Sequence, residues 1–276
     1  MRRKSTDAFS WKAPAACSPA ILSRVWSPAP TTTTSGSAEP AVNLLLFGPE
    51  ARDADGRVRV SGQQLRHLRQ VLGKGVGDTV RAGEIGGLMG CAGIVAIDKH
   101  SALLEPQLDT PPPPKLPLVL VLALPRPKML RRTLRALAEF GVGEVHLVNS
   151  WKVEKSYWQT PVLAPATLRE YCLQGLEQAC DTVLPAIHLC PRFKPFAEDT
   201  LPGLLAGRRG LVAHPGDYPP CPRAPGGELL LAVGPEGGFT PYEVDMLSAP
   251  GCEAVSLGPR ILRVENAVSA LLARLF

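Results

Sequence analysis

Residues 228–243 read Glu-Leu-Leu-Leu-Ala-Val-Gly-Pro-Glu-Gly-Gly-Phe-Thr-Pro-Tyr-Glu. The aliphatic run up to Val233 is the pattern of a strand buried on both faces. The far end signals a helix start. Thr240 suits the N-cap, Pro241 the first helical position, and Glu243 completes a capping box. Between strand and helix lies Gly234-Pro235-Glu236-Gly237-Gly238. A glycine-rich turn in this place lets backbone approach a ligand closely and aims N–H groups at it. Pro235 and Glu236 break the G-x-G-x-x-G spacing of dinucleotide sites, and no Gly-Lys-Ser/Thr follows as in a Walker loop. A nicotinamide-dependent dehydrogenase is therefore disfavoured. Alone, such a turn is weak evidence for a ligand.

A second loop strengthens it. Leu257-Gly258-Pro259-Arg260-Ile261-Leu262-Arg263-Val264-Glu265-Asn266-Ala267 runs from a predicted strand, Glu253 to Leu257, into a helix that begins at Arg263. That helix carries Val264, Val268, Leu271 and Leu275 on one stripe. Two loops at the carboxyl ends of neighbouring strands form the usual crevice of an open α/β sheet. Upstream the same alternation holds. Strands are expected at Leu118–Leu124, Glu144–Val148, Ala186–Leu189 and Leu211–Ala213. Helices are expected from Lys128 to Phe140, with Gly141 as its C′ residue, and around Leu168, Cys172 and Leu176. Strand–helix alternation predicts an α/β fold, a mostly parallel sheet covered by helices.

The helix at Lys128 holds the first electrostatic clue. Lys128, Arg131, Arg132 and Arg135 fall at i, i+3, i+4 and i+7, on one face away from the leucines. The alternatives are a solvated face and a contact with an RNA backbone. No acidic residue is interleaved before Glu139, which favours RNA. The whole chain is only mildly basic, with 30 Lys plus Arg against 25 Asp plus Glu.

Residues 42–109 differ in pattern. Leu44 to Phe47 is a short apolar run, and Val58-Arg59-Val60 alternates. Leu65, Leu68 and Leu72 share a helix face, and strands are expected at 78–81, 93–97 and 102–104. Gly83, Gly86, Gly87 and Gly90 mark tight turns. Arg66, His67, Arg69 and Lys74 cluster there, as candidate phosphate contacts or a solvated face. Pro111 to Pro114 is a stiff connector, placing a linker at 110–115 and a second domain at 116–276.

The remaining signals set bounds. Apolar residues make up 45% of the 276 and aromatics 5%, so the core must be mainly aliphatic. No apolar run reaches the roughly 18 residues of a membrane span, so no membrane association is expected. The seven cysteines include no C-x-x-C pair; buried thiols are expected rather than a disulfide framework, and no metal site. Up to Ala38, Asp7 is the lone acidic side chain, beside Arg2, Arg3, Lys4, Lys12 and Arg24. An acid-poor extension over 1–41 reads as a disordered organelle transit peptide, or as a plain tail or misassigned start. The expected location is a chloroplast or mitochondrion in a eukaryote, the cytoplasm in a bacterium.

The pairing of Gly234–Gly238 with Leu257–Ala267, in this order and this near the C-terminus, resembles the two cofactor loops of the RsmE-type methyltransferases. That family belongs to the SPOUT class and acts on N3 of a uridine in bacterial small-subunit rRNA. The resemblance runs from about Asn43 to Phe276 and includes Leu176-Glu177-Gln178. It departs at Val264 and Asn266, where the family usually has threonines. It departs again at Asp181 and Val183, where arginines are usual.

The resemblance implies a C-terminal SPOUT-like trefoil-knotted methyltransferase domain and a small N-terminal PUA-like β-barrel domain for RNA. It implies a homodimer, S-adenosyl-L-methionine as cofactor, and small-subunit ribosomal RNA or the assembled small ribosomal subunit as partner. Ala232, Gly234, Pro235, Glu236, Gly237, Leu257, Gly258, Ile261 and Leu262 would hold the cofactor. His214 would close its adenine side. Arg263 would stabilise charge on the base, and Glu265 would orient it or accept the proton. A salt bridge at the start of the last helix is the other role open to Arg263 and Glu265. Two rival functions stand beside this one: another SPOUT activity on tRNA, or a non-catalytic ribosome-assembly factor.

Overall fold

The computed structural model describes residues 44–276; the extension read as a transit peptide lies outside them. The first module contains β1 (Leu45–Phe47), β2 (Val58–Ser61), α1 (Gly62–Arg66), β3 (Thr79–Glu84), β4 (Met89–Ile97) and β5 (Ser101–Thr110). The sheet order is β1-β3-β4-β5-β2, with β1 parallel to β3 and the other pairs antiparallel. Alternation sets the faces: Val58 and Val60 of β2 are buried, while Arg59 and Ser61 are exposed. Val58 and Val60 join Phe47, Leu65, Leu68 and Val80 in a small core of their own. β5 runs well past the expected 102–104, because its outer half alternates with Glu105 and Gln107 and carries no dense apolar signal.

After the proline run come β6 (Leu116–Ala123), α2 (Pro127–Glu139), β7 (Val142–Val148), α3 (Pro165–Ala179) and β8 (Ala186–Cys190). Then follow α4 (Phe193–Pro195), α5 (Leu201–Leu205), β9 (Arg209–Ala213), β10 (Leu229–Val233), α6 (Pro241–Ser248), β11 (Cys252–Val255) and α7 (Val264–Leu275). The six strands form one parallel sheet, β11-β9-β10-β6-β7-β8. β10 lies inside it between β9 and β6, which is why every residue of Leu229–Val233 is buried. Gly141 takes φ +75° just beyond α2, the left-handed conformation expected of a C′ glycine.

The helical stretch 193–205 carried no legible sequence signal. Pro195 and Pro202 interrupt it, and a π-type turn over Phe196–Thr200 absorbs the lost backbone bonding. Burial pushes the Cys172 and Cys252 thiols up to about 12, which leaves them protonated and inert at neutral pH.

The two modules dock closely. Leu44 and Leu46 insert into the large core of the parallel sheet. The Leu44 N–H donates to the Glu177 carbonyl at 2.9 Å, and the Gly86 N–H to the Thr182 carbonyl at 2.8 Å. The Thr182 hydroxyl donates to the Gly87 carbonyl at 2.7 Å. Residues on both sides of the proline run thus share one compact unit.

At the other end, the connection between β9 and β10 crosses the C-terminal helix. Ser256 N–H donates to the Pro219 carbonyl and Cys221 N–H to the Ser256 carbonyl, both at 2.8 Å. Ala224 N–H donates to the Arg274 carbonyl at 3.0 Å, and Arg274 Nε donates to the Cys221 carbonyl. α7 itself returns from the edge strand β11 to pack against α2.

Candidate functional site

A cleft opens at the carboxyl ends of β9, β10 and β11, where the strand order reverses and an open sheet leaves a crevice. Its first wall is the turn after β10. A Cβ on Gly234 would lie 3.0 Å from the Phe239 nitrogen, so glycine lets the turn fold tightly on the buried Phe239 ring. Gly238 takes φ +69° and donates to the Pro235 carbonyl at 2.8 Å.

Neighbouring loops hold this wall. Thr240 caps α6 with the full reciprocal box: Glu243 N–H donates to Thr240 Oγ1, and Thr240 N–H donates to Glu243 Oε2 at 2.8 Å. The same buried carboxylate accepts the Trp151 N–H at 2.7 Å from the end of β7. Lys152 Nζ donates to the Gly237 carbonyl at 2.7 Å, and Arg126 N–H to Glu236 Oε1 at 3.1 Å. Glu243→Gln sets an amide N–H against one of these donors. It is expected to lower stability by about 1–3 kcal/mol, read as a shifted denaturant midpoint. An unshifted midpoint would show that the carboxylate does not fasten the loop.

The second wall is the loop after β11. Ser256 is buried, and its Oγ accepts the Gly258 N–H at 3.1 Å. Gly258 sits at φ +111°, which side-chain-bearing residues rarely adopt. His214 ties the walls together. Its N–H donates to the Val255 carbonyl, Nε2 lies 3.2 Å from the Phe239 carbonyl, and Nδ1 lies 2.7 Å from the Pro215 carbonyl. A neutral imidazole can donate to only one of those last two carbonyls.

The residues expected at the cofactor divide accordingly. His214, Gly234, Pro235 and Glu236 line the cleft from the first side. Leu257, Gly258, Ile261 and Leu262 line it from the second. Ala232 is enclosed within β10, and Gly237 faces Lys152, where a Cβ would come within 2.9 Å of the lysine chain. Neither lines the cleft. Ser256, Val264, Ala267 and Leu271 do, and sequence reasoning had not named them for it.

Arg263 and Glu265 stand beside the cleft and do not line it. Arg263 is the exposed N-cap of α7 and its side chain makes no capping bond. No ion pair joins the two residues among the described residues, so the helix-terminus salt bridge does not form. Glu265 Oε2 is buried without a hydrogen-bond partner, a costly state that calls for a ligand, water or substrate group.

On α2, Lys128, Arg131 and Arg132 are exposed, whereas Arg135 is half-buried. Arg135 donates to Gln174 Oε1 at 2.7 Å, and both Arg131 and Arg135 lie over the Tyr171 ring. Arg135 is thus engaged within the protein, which the sequence face did not reveal because α3 lies far along the chain. Arg66 and Arg69 are exposed. Arg66 lines a second cleft of about 540 Å³, with Arg81 from β3 and Glu177 from α3. Burial pushes the Glu177 carboxyl up. His67 also lines it, with Nε2 buried and unpartnered.

Trp151 and Lys152 were also missed. They sit at the carboxyl end of a strand, where functional loops of parallel sheets gather, and Trp151 is 85% exposed.

Residues 112–276 match the family described as RNA methyltransferase domain. The chain is 32% identical over 243 residues to the ribosomal RNA small subunit methyltransferase E of Treponema pallidum, covering 84% of this chain and 90% of that one. It is 28% identical over 269 residues to the protein of the same name from Synechocystis, covering 93% of this chain and 83% of that one. A crystal structure of the Neisseria gonorrhoeae ribosomal RNA small subunit methyltransferase E bound to S-adenosyl methionine has a TM-score of 0.65 to this fold. Identity there is 22%, with 83% of this chain and 95% of that chain covered. With the family model spanning most of the chain and a relative matched over nearly its whole length, this protein belongs to the RsmE-type family of SPOUT RNA methyltransferases.

Proposed function

We propose that this protein methylates N3 of a uridine in small-subunit ribosomal RNA, using S-adenosylmethionine held between the loops after β10 and β11. The observation that carries the reading is the convergence of those two loops on one cleft, beside a buried carboxylate oxygen that lacks a partner. The names of the Treponema and Synechocystis relatives support the substrate class. The ligand named with the Neisseria structure supports the cofactor.

The cleft suits that cofactor chemically. Gly234 leaves its wall free of a side chain. Leu257, Leu262, Val264 and Leu271 offer apolar surface to an adenine ring, and loop backbone offers donors and acceptors to its edge. When bound, S-adenosylmethionine supplies a methyl group on a sulfonium, which needs an in-line nucleophile and little acid catalysis.

The chain's own residues must prepare that nucleophile. Uridine N3 carries a proton, and losing it spreads negative charge onto O2 and O4. Arg263, exposed beside the cleft, stabilises that charge. Glu265 accepts the proton directly or through a water. Exposed Lys128, Arg131 and Arg132, with Arg66 and Arg69 of the first module, hold the RNA backbone. The target base must be unpaired or extruded for N3 to be reached.

Three structural readings accompany the proposal. The first module is a PUA-like RNA-binding domain, supported by its five-stranded, mostly antiparallel sheet and by exposed Arg66 at the end of α1. The C-terminal half is a trefoil knot, supported by the β9–β10 connection that crosses α7 on its way back to α2. The active form is a homodimer. A single chain encloses only about 90 Å³ in the cleft, below the roughly 300–1,000 Å³ of small-molecule sites. Ile261, 82% exposed at its rim, awaits a covering surface.

The test is methyl transfer from labelled S-adenosylmethionine to unmodified small ribosomal subunits, with the labelled nucleoside identified. The expected product is 3-methyluridine. Label in another nucleoside rejects the substrate and keeps the methyltransferase. Absence of label, with RNA still bound by folded protein, favours an assembly factor.

A further inference from the structure

At the free edge of the parallel sheet, two and three strands across from β10, β7 and β8 gather a second group of chemically active side chains. Parallel register sets His146 beside His188 and Val148 beside Cys190. The two-residue strand period puts Glu144 on the face of His146, and Cys190 on the face of His188. The two imidazoles stack, with centroids 4.5 Å apart and planes at 21°. Both turn Nε2 toward one carboxylate oxygen: Glu144 Oε1 lies 2.9 Å from His146 Nε2 and 3.6 Å from His188 Nε2. One ligand atom from each residue falls within 4.8 Å of the other two.

We propose that Glu144, His146 and His188 form a binding site for a divalent transition metal of the zinc class. Two imidazoles and one carboxylate are the protein ligands of an open zinc site, with the fourth position left to water. Nitrogen donors of this kind select zinc-class ions over magnesium or calcium. Glu144 Oε1 occupies the point on which both ring nitrogens converge. Its side chain is about one-third exposed, so it can step back and let a cation sit roughly 2.0–2.1 Å from each nitrogen.

The surroundings suit a ligand pair. His146 is 5% exposed and packs against the Phe196 ring at 5.8 Å, so its orientation is set before any ion arrives. Its Nδ1 lies 3.9 Å from Cys190 Sγ, which gives the ring an outer partner on the side away from the carboxylate. His188 is half exposed, which leaves a path for entry. No C-x-x-C or H-x-x-H spacing announces the site, because strand pairing assembles it from residues some forty positions apart. It shares no residue with the methyl-transfer cleft, so it does not depend on the function proposed above.

The test uses full-length, untagged protein stripped with a chelator. Zinc is titrated in competition with a chromophoric chelator, and cobalt(II) substitution is followed by its visible absorption. The expected result is one saturable ion per chain, a raised unfolding temperature and the absorption of a four-coordinate cobalt site. Glu144→Gln and His188→Ala should each weaken binding by at least about tenfold, the lower end for disturbing even an outer-shell partner. His188→Gln serves if the alanine variant does not fold. His100→Ala, on a remote exposed turn, should bind as the wild type does. Wild-type affinity no higher than that of the His188 variant overturns the proposal and leaves a hydrogen-bonded His–Glu cluster. Loss of binding in His100→Ala overturns it equally.

Discussion

Arg263→Ala is expected to lower methyl transfer by about 10²–10³-fold, the usual loss when one donor to a developing oxyanion is removed. Folding should survive. Arg263 is exposed, makes no capping bond and forms no ion pair among the described residues. Substitutions at such positions usually change stability by within about 0.5 kcal/mol. Single-turnover transfer from labelled S-adenosylmethionine measures the chemical step, and equilibrium binding of the unmodified RNA measures the ground state. A slow step at undiminished RNA affinity places the guanidinium in the transition state. An equal fall in both would make Arg263 an RNA anchor, and undiminished turnover would remove it from the mechanism. Arg263→Lys keeps the charge and loses the planar fork, so it should recover only part of the rate.

Lys115→Met should cost about 3–5 kcal/mol, the penalty for stripping the partner from a buried charge. Lys115 Nζ and Asp181 Oδ2 lie 2.6 Å apart, and the aspartate side chain is only 3% exposed. Asp181 Oδ1 also accepts the Val183 N–H at 2.9 Å. The pair fastens the start of β6 to the turn after α3, beside Thr182 and its bonds to Gly86 and Gly87. Losing it loosens the parallel-sheet module and the docking of the first module together. In thermal unfolding the shift should be on the order of ten degrees. Lys115→Met with Asp181→Asn removes both charges, and it should be less damaged than the single variant. A single-variant cost under about 1 kcal/mol would mean that water reaches the carboxylate.

Much of the architecture was legible because it rests on local rules. The continuous aliphatic run at Leu229–Val233 implied a strand covered on both faces, and β10 is an interior strand. Thr240, Pro241 and Glu243 implied a capped helix start, and the reciprocal box forms there. Gly141 stood out as a helix terminator and adopts the left-handed conformation. Chain continuity also made the two cofactor loops readable, since each joins a recognisable strand to a recognisable helix. The helix broken by Pro195 and Pro202 was hidden, because its backbone is accommodated by a widened turn that has no apolar period.

What sequence determined by itself was therefore most of the elements, the two loops and the family to which they belong. These follow from propensity, burial period and capping, which act over a few residues. Tertiary structure alone decided the order of the strands, with β10 inserted between β9 and β6. It decided that Arg135 turns inward to Tyr171 and Gln174 while Arg132 remains exposed. It also decided that Glu243 is anchored by Trp151 from the end of β7. Strand pairing alone brought His188 to His146 and Glu144. Each of these depends on contacts between residues tens of positions apart, and the free energy of such a contact is set by what packs beside it rather than by its neighbours along the chain.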